Sequence, residues 1–381
     1  MSIRRGPHRD VEMLRSFVRV ALAVAACAAP ISGQTPTLPM PTGSYAVGRR
    51  LLYILDSTRT DIKAIRADHL REFMVIVWYP AAGSAPGDPR PWIPRLWADS
   101  AAGDLAMFTR RVQPPVTVAE IARTIAGTKS FATDSAPIAT AGARFPVVIL
   151  SPGNFVMPSY YATFAEEFAS HGYVVVGHVP TGYSRSVTLP DGRVFPRQTF
   201  DNIDVWIGDI RYLVDHVAIW DRDRSHPLYG KLDTLRVGLT GHSGGANASE
   251  VVAKDPRVRA LAAIDPGLTD TAWATSKPTL ILSSDWGGRA QVDTGVADML
   301  EERVAFRRHL RQGVAFTLKG AQHMSFTDLS AIPRLQLGPN GLSQILAARR
   351  LLQAFFDESL RGVHSTLLRT GDPTAALELT P

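Results

Sequence analysis

From about residue 70 the chain alternates short, nearly unbroken apolar runs with longer stretches of helical spacing. Glu72–Pro80 (EFMVIVWYP) is rich in β-branched and aromatic residues and predicts a strand stopped by its proline. Phe145–Gly153 and Tyr173–Val179 are apolar at almost every position, as strands buried on both faces are. Between them, Tyr160–Gly172 has helical spacing and ends at a glycine suited to a C′ cap. Asn202–Trp220 predicts an amphipathic helix whose acids and Arg211 form a solvated face. Leu235–Ala253 (LRVGLTGHSGGANASEVVA) reads strand, tight turn, helix. Val258–Gly267, Pro278–Gly288 and Gly313–Asp328 each read as a strand followed by a polar loop, and Gln344–Leu360 as a closing amphipathic helix. Such alternation predicts an α/β fold, with a mostly parallel central sheet, helices on both faces and ligand chemistry at the carboxyl ends of the strands.

Length adds a domain count. The 381 residues suit one large domain over residues 43–362, with an irregular, Pro- and Gly-rich insertion at about 81–143 and a C-terminal tail at 363–381. A Pro-Asp-Gly turn within Leu189–Pro196 predicts a hairpin or loop over a site. Residues 1–33 read as an export signal: Arg15 and Arg19 precede an apolar run, then small residues. A start at Met13 gives a cleaner signal than Met1. Cys27, the single cysteine, lies in a loose match to a lipoprotein box. Two expectations stay open, lipidation at Cys27 with anchoring to the cell envelope, or cleavage between Ala28 and Gly33 and release into the periplasm or medium. Residues 34–42 read as an extended Pro-rich leader.

The net charge of +6 changes little, because Arg4, Arg5, Arg9, Arg15 and Arg19 against Asp10 and Glu12 account for half of it. Elsewhere basic residues alternate with acids and form no stripe that could track phosphates, which argues against nucleic acid. Clustered Cys/His ligands, His-Glu-x-x-His and dinucleotide-type glycine loops are absent, so no metal or cofactor is expected.

The candidate chemistry gathers at strand ends. Gly241-His242-Ser243-Gly244-Gly245 is a G-x-S-x-G between an apolar strand and a helix, the context of a nucleophile elbow. A serine needs a base to attack a carbonyl. His323 follows the last strand and gives the chain order serine, acid, histidine. His171, His216, His226 and His309 lie on helices or in charged loops, and His242 points away from Ser243 in such a turn. His178, at a strand end but before the serine, is the one rival. Two acids end strands, Asp265 and Asp285, and periodicity does not separate them. Backbone amides of Gly244 and Asn154 are the candidates for an oxyanion hole. Phe155, Trp273, Trp286 and Met324 neighbour these loops as candidate pocket walls.

On these residues the chain resembles the platelet-activating factor acetylhydrolase family of α/β-hydrolases, and is close to chlorophyllase-like and cutinase-like polyesterases. The resemblance runs over about residues 43–360, through YAVGRRLLYILDSTR, VIVWYPA, VILSPGNF, FASHGYVVVGHVPTGYS and GKLDTLRVGLTGHSGGA. It implies an α/β-hydrolase fold and a serine carboxylesterase acting on short-chain acyl esters or acetyl phospholipids. Polyester hydrolysis is the alternative within the class, and an inactive hydrolase fold used for binding is the alternative outside it. A Gly-x-x-His-x-x-Phe-x-Asp pattern matches Gly320, His323, Phe326 and Asp328. The family's acid lies one strand after the nucleophile, which implies Asp265 with Asp285 as runner-up. Gly244 departs from the family's larger apolar residue, so one wall beside the acyl group is lost.

Overall fold

The computed structural model describes residues 35–379, apart from residues 62, 86, 99–100, 102–115, 141–143, 184–185, 197, 199–202, 268–269, 271, 273, 286–293 and 337. The export signal with Cys27, and the wall candidates Trp273 and Trp286, lie outside the described residues. The described residues from Pro36 onward form one compact unit. Among the described residues no helix is long and apolar enough to cross a membrane.

In chain order the strands are β1 (Tyr45–Thr60), β2 (Leu70–Ser84), β3 (Arg90–Pro91), β4 (Lys129–Ser130), β5 (Ala132–Asp134), β6 (Phe145–Ser151), β7 (Val174–Val179), β8 (Val187–Thr188), β9 (Val194–Phe195), β10 (Leu232–His242), β11 (Val258–Ile264), β12 (Thr279–Ser283), β13 (Gly313–Leu318) and β14 (Ala375–Leu379). The helices are α1 (Val118–Gly127), α2 (Ala162–Ser170), α3 (Asp204–Arg222), α4 (Gly244–Val252), α5 (Thr294–His309), α6 (Gly341–Arg361) and α7 (Leu367–Thr370). Ten strands make one sheet in the order β14-β13-β12-β11-β10-β6-β7-β2-β1-β5. Its centre, β13 to β7, is parallel throughout, while β2 and β14 run antiparallel to their neighbours. This is the α/β-hydrolase arrangement.

The period of two decides what each face holds. Met74, Ile76 and Trp78 of β2 join Phe164 and Phe168 of α2 and Leu351 and Phe356 of α6 on one face. Phe73, Val75 and Val77 join Trp206, Ile210 and Leu213 of α3 and Val252 of α4 on the other. Both faces being covered is why the central strands are apolar without alternation.

Several expectations change. β2 does not stop at Pro80 but runs to Ser84. The Pro80 carbonyl points away from β1 to the Ala139 amide (2.8 Å), so the missing N–H also faces away from β1 and its pairing with β2 is not interrupted. The insertion at 81–143 contributes β5 to the sheet and the capped helix α1. The tail at 363–381 is not outside the domain, because β14 pairs with β13 and covers that edge. The leader also packs on the fold: the Leu38 amide bonds the Lys129 carbonyl at 2.8 Å, and the Leu38 side chain is in the core. On α3, Arg211 is solvated as expected, but Asp209 and Asp221 are buried. The Pro-Asp-Gly segment is the β8–β9 hairpin.

Candidate functional site

Ser243 sits between the end of β10 and the first turn of α4, with φ 54° and ψ −124°. That left-handed conformation is strained for a residue with a side chain. It persists because the turn is closed on both sides. A Cβ on Gly241 would lie 2.3 Å from the Gly245 carbonyl oxygen, and one on Gly245 would lie 2.3 Å from the carbonyl oxygens of Ser151 and Pro152. The Ser243 amide donates to the Ile264 carbonyl at 2.9 Å, which seats the elbow beside the end of β11.

Asp265 follows β11 directly, and its amide donates to the Leu282 carbonyl at 2.6 Å. Its carboxylate is fully buried and accepts from His323, Ser284 and Arg303. Oδ2 accepts from His323 Nδ1 (2.6 Å) and Ser284 Oγ (2.6 Å), and Oδ1 from the Ser284 amide (3.0 Å) and Arg303 Nη1 (3.0 Å). Burial alone would raise its pKa. The His323 hydrogen bond, the Arg303 charge and Ser284 outweigh burial and hold it well below the usual carboxylate range. A carboxylate only accepts, so the His323 proton is on Nδ1 and Nε2 keeps its lone pair. One third of the His323 side chain is exposed.

Asp285 is not on His323. Its Oδ2 accepts from the Gly320 amide at 2.9 Å and its own amide donates to the Ala321 carbonyl at 2.9 Å, so it shapes the turn that leads into the His323 loop.

A second chain of bonds runs from the loop after β6 to His323. The Gly153 amide donates to Tyr161 Oη (3.0 Å), which lies 2.7 Å from His242 Nδ1, and His242 Nε2 lies 3.0 Å from the His323 carbonyl oxygen. The carbonyl only accepts, so Nε2 donates and Nδ1 accepts from Tyr161. Burial, then the neighbouring His323, push the His242 pKa down to about 3 and keep it neutral. The His242 and His323 rings lie 4.5 Å apart, so the residue before Ser243 packs against His323. Ligand atoms of His242, Asp265 and His323 lie within 4.8 Å of one another. Those of His242 and the Asp265–His323 contact are already committed to hydrogen bonds.

The loop after β6 turns at Asn154 and Phe155, closed by the Val156 amide on the Gly153 carbonyl (3.1 Å). Gly153 itself lies against the His242 ring, where a Cβ would come within 2.9 Å of Nδ1. Among the described residues the amides of Asn154 and Gly244 have no backbone acceptor. Phe155 has φ 62° and is half-buried, and Met324 is buried. From behind, buried Asp328 accepts from the amides of Ala162 (2.8 Å) and Thr163 (3.0 Å) and from Trp92 Nε1 (3.0 Å), tying the His323 loop to the start of α2.

Thus Ser243 with Gly244, Asp265, His323 and Asn154 come from four segments to one end of the sheet. Sequence reasoning missed Tyr161, Ser284 and Arg303. Arg303 stands in EERVAFRRHL, where a charge run reads as a solvated face, and no periodicity distinguishes the buried arginine from its neighbours.

A ten-stranded, mostly parallel sheet with a strained serine at a strand–helix elbow and a His–Asp pair at neighbouring strand ends defines the α/β-hydrolase class. Within it, the PET hydrolase-like family matches residues 116–327, more than half of the chain, and the chain belongs to that family. Residues 31–188 also match the family of platelet-activating factor acetylhydrolase, isoform II, in keeping with the resemblance read from the sequence. Cutinase 2 of Thermobifida cellulosilytica is 25% identical over 186 residues, 48% of this chain and 61% of the cutinase. Cutinase cut1 of Thermobifida fusca is 25% identical over 186 residues, 48% of this chain and 50% of that protein. The chain therefore spans about half to three-fifths of the curated relatives it matches. A solved ferulic acid esterase from Streptomyces cinnamoneus shares the fold, with TM-score 0.67 and 24% identity over 91% of this chain and 100% of its own.

Proposed function

We propose that the protein is an exported serine hydrolase of carboxylic esters. Ser243 is the nucleophile, His323 the general base and then acid, and Asp265 holds the imidazole. The amides of Gly244 and Asn154 receive the developing oxyanion. The observation that carries this reading is the 2.6 Å bond from His323 Nδ1 to a buried, fully donated Asp265 carboxylate beside a serine at φ 54°. In the reaction Nε2 removes the Ser243 proton as Oγ attacks the ester carbonyl. The tetrahedral intermediate collapses with a proton passed from Nε2 to the leaving alkoxide, and water repeats the sequence on the acyl-enzyme.

Short-chain acyl esters, including acetyl esters of phospholipids, are the first substrate class, on the resemblance and the acetylhydrolase-type match over residues 31–188. Polymer esters are the second, favoured by the PET hydrolase-like match and the cutinase relatives. Export, with release or a lipid anchor at Cys27, rests on the apolar run after Arg19.

The test is fluorophosphonate labelling of the purified protein with peptide mapping, alongside a p-nitrophenyl ester series and a polyester film. Label on Ser243, absent in Ser243→Ala, with fastest turnover of acetate or butyrate supports the first class. Film hydrolysis exceeding that of small esters would move the assignment to the second. Folded protein with neither label nor turnover would leave a binding module. The same peptide map reads the mature N-terminus, and an intact Met1 or Met13 would overturn export.

A further inference from the structure

Arg303 is 2% exposed, on a helix that is otherwise highly charged, and its guanidinium points at the acid of the site rather than at water. Nη1 donates to Asp265 Oδ1 at 3.0 Å and Nη2 donates to the Pro266 carbonyl. The two bonds grip both sides of the residue that carries the carboxylate, which itself has φ 41°. We propose that Arg303 is a positioning residue for the acid–base pair. It clamps Asp265 in the orientation that meets His323, and its charge opposes protonation of that pair as pH falls. The inference rests on the esterase reading of Ser243, Asp265 and His323.

The charge argument follows from the groups around the pair. His323 is faced by Asp265 from β11, by neutral His242 from β10 and, through Asp265, by Arg303 from α5. Ser284, after β12, offers Asp265 only neutral donors. Arg303 is also opposed by Glu250 of α4, which burial pushes up to about 8 and so keeps uncharged near neutrality. Behind it, a cavity of about 270 Å³ holds Asp285, Arg307 and Glu378. There Arg307 is committed to Glu378 (2.5 Å) and Ser283 (2.9 Å). Arg303 is therefore a cation bonded directly to Asp265. A fixed positive charge here disfavours both a protonated imidazole and a protonated carboxyl, so both effects act in the same direction.

The experiment is the pH profile of kcat/KM on a soluble ester for wild type, Arg303→Gln, Arg303→Met and Arg303→Lys, with Ser243→Ala as the blank. The Gln and Met variants are expected to move the acidic limb up by about one pH unit, the size of a single nearby charge at moderate dielectric. Lys is expected to lower kcat while leaving the limb in place, since it keeps the charge and loses the two-point grip. Should Met leave the protein unfolded, Gln carries the test. Reduced rates with an unmoved limb in folded Gln or Met variants would overturn the charge role. Equal kcat in Lys and wild type would overturn the clamp. NMR titration of the His323 imidazole in wild type and Arg303→Gln reads the same displacement without turnover. An inactive wild type would then count against the esterase reading alone.

Discussion

His178 and His323 each meet an aspartate and stand near a serine, yet the two regions differ in what the chain has done with them. His178 Nε2 lies 2.9 Å from Asp209 and its Nδ1 lies 3.3 Å from Ser151 Oγ, all three residues being at most 1% exposed. Asp209 is shared with Arg71 (3.0 Å to Nε) and Arg59 (2.8 Å to Nη2), and Arg71 also holds Asp61 at 2.8 Å. His323 instead takes its carboxylate on Nδ1, shares it with one arginine and keeps a third of its side chain open. Ser151 lies in ordinary strand at the end of β6, whereas Ser243 is forced to φ 54°. Composition is the same in both places. Access, the nitrogen that is bonded and the backbone of the serine separate a sealed polar core from the open site proposed to be reactive.

Exchanging the two carboxylates breaks the comparison most strongly. Asp265→Asn is expected to lower kcat by roughly 10⁴-fold with the fold intact, since an amide no longer fixes the tautomer of the base. Asp209→Asn is expected to cost about 3–5 kcal/mol of stability, because it leaves Arg71 and Arg59 short of a buried counter-charge, while kcat per folded molecule changes little. Denaturant unfolding beside active-site titration separates the two, and a catalytic collapse in Asp209→Asn would make His178 a working base after all. Next in size is Ser151→Ala, expected to destabilise by about 1–3 kcal/mol by leaving His178 Nδ1 unpaired, with turnover within a few-fold of wild type. Loss of fluorophosphonate label in that variant would reverse the assignment of the two serines.

The smallest expected effect is on pH-dependent stability, where the aspartates of both sites are held low while a third buried acid, Glu250, is pushed the other way. Burial outweighs the Asn247 hydrogen bond and raises Glu250 from 4.5 to about 8. The folded state then holds a proton that the unfolded state releases above about 4.5. The Glu250 contribution thus favours the fold below that pH and is lost as pH rises to about 8. Asp265 and Asp209, held low, contribute in the other sense, losing their stabilisation only in acid. Glu250→Gln is therefore expected to flatten the alkaline fall in Tm between pH 5 and 9, in a thermal unfolding series; an unchanged slope would refute the burial argument.

Strands such as Phe145–Ser151 and Val258–Ile264 were legible because being buried on both faces leaves an apolar run that only a covered parallel strand explains. The elbow was legible because Gly241, Ser243 and Gly245 answer to one local geometry. The choice of Asp265 over Asp285 needed a resemblance, since both end strands; only the register of β11 on β12 shows which carboxylate reaches His323. Arg71, Asp209 and Arg303 were not legible. A charge reads as solvated until its partner is known, and those partners lie far away in the chain. Pro80 misled for a related reason, as which side of a strand a missing donor faces depends on the neighbouring strands.

The backbone at Ser243 has a consequence for how such a protein drifts under mutation. A residue with a side chain at φ 54° stores about 1–3 kcal/mol that glycine would release. Replacement by glycine is reachable by a single nucleotide change from some serine codons, and it would relax the elbow while removing the hydroxyl proposed as nucleophile. On the proposed mechanism, loss of activity at this position is downhill for the fold, and selection on turnover is what would keep the serine there.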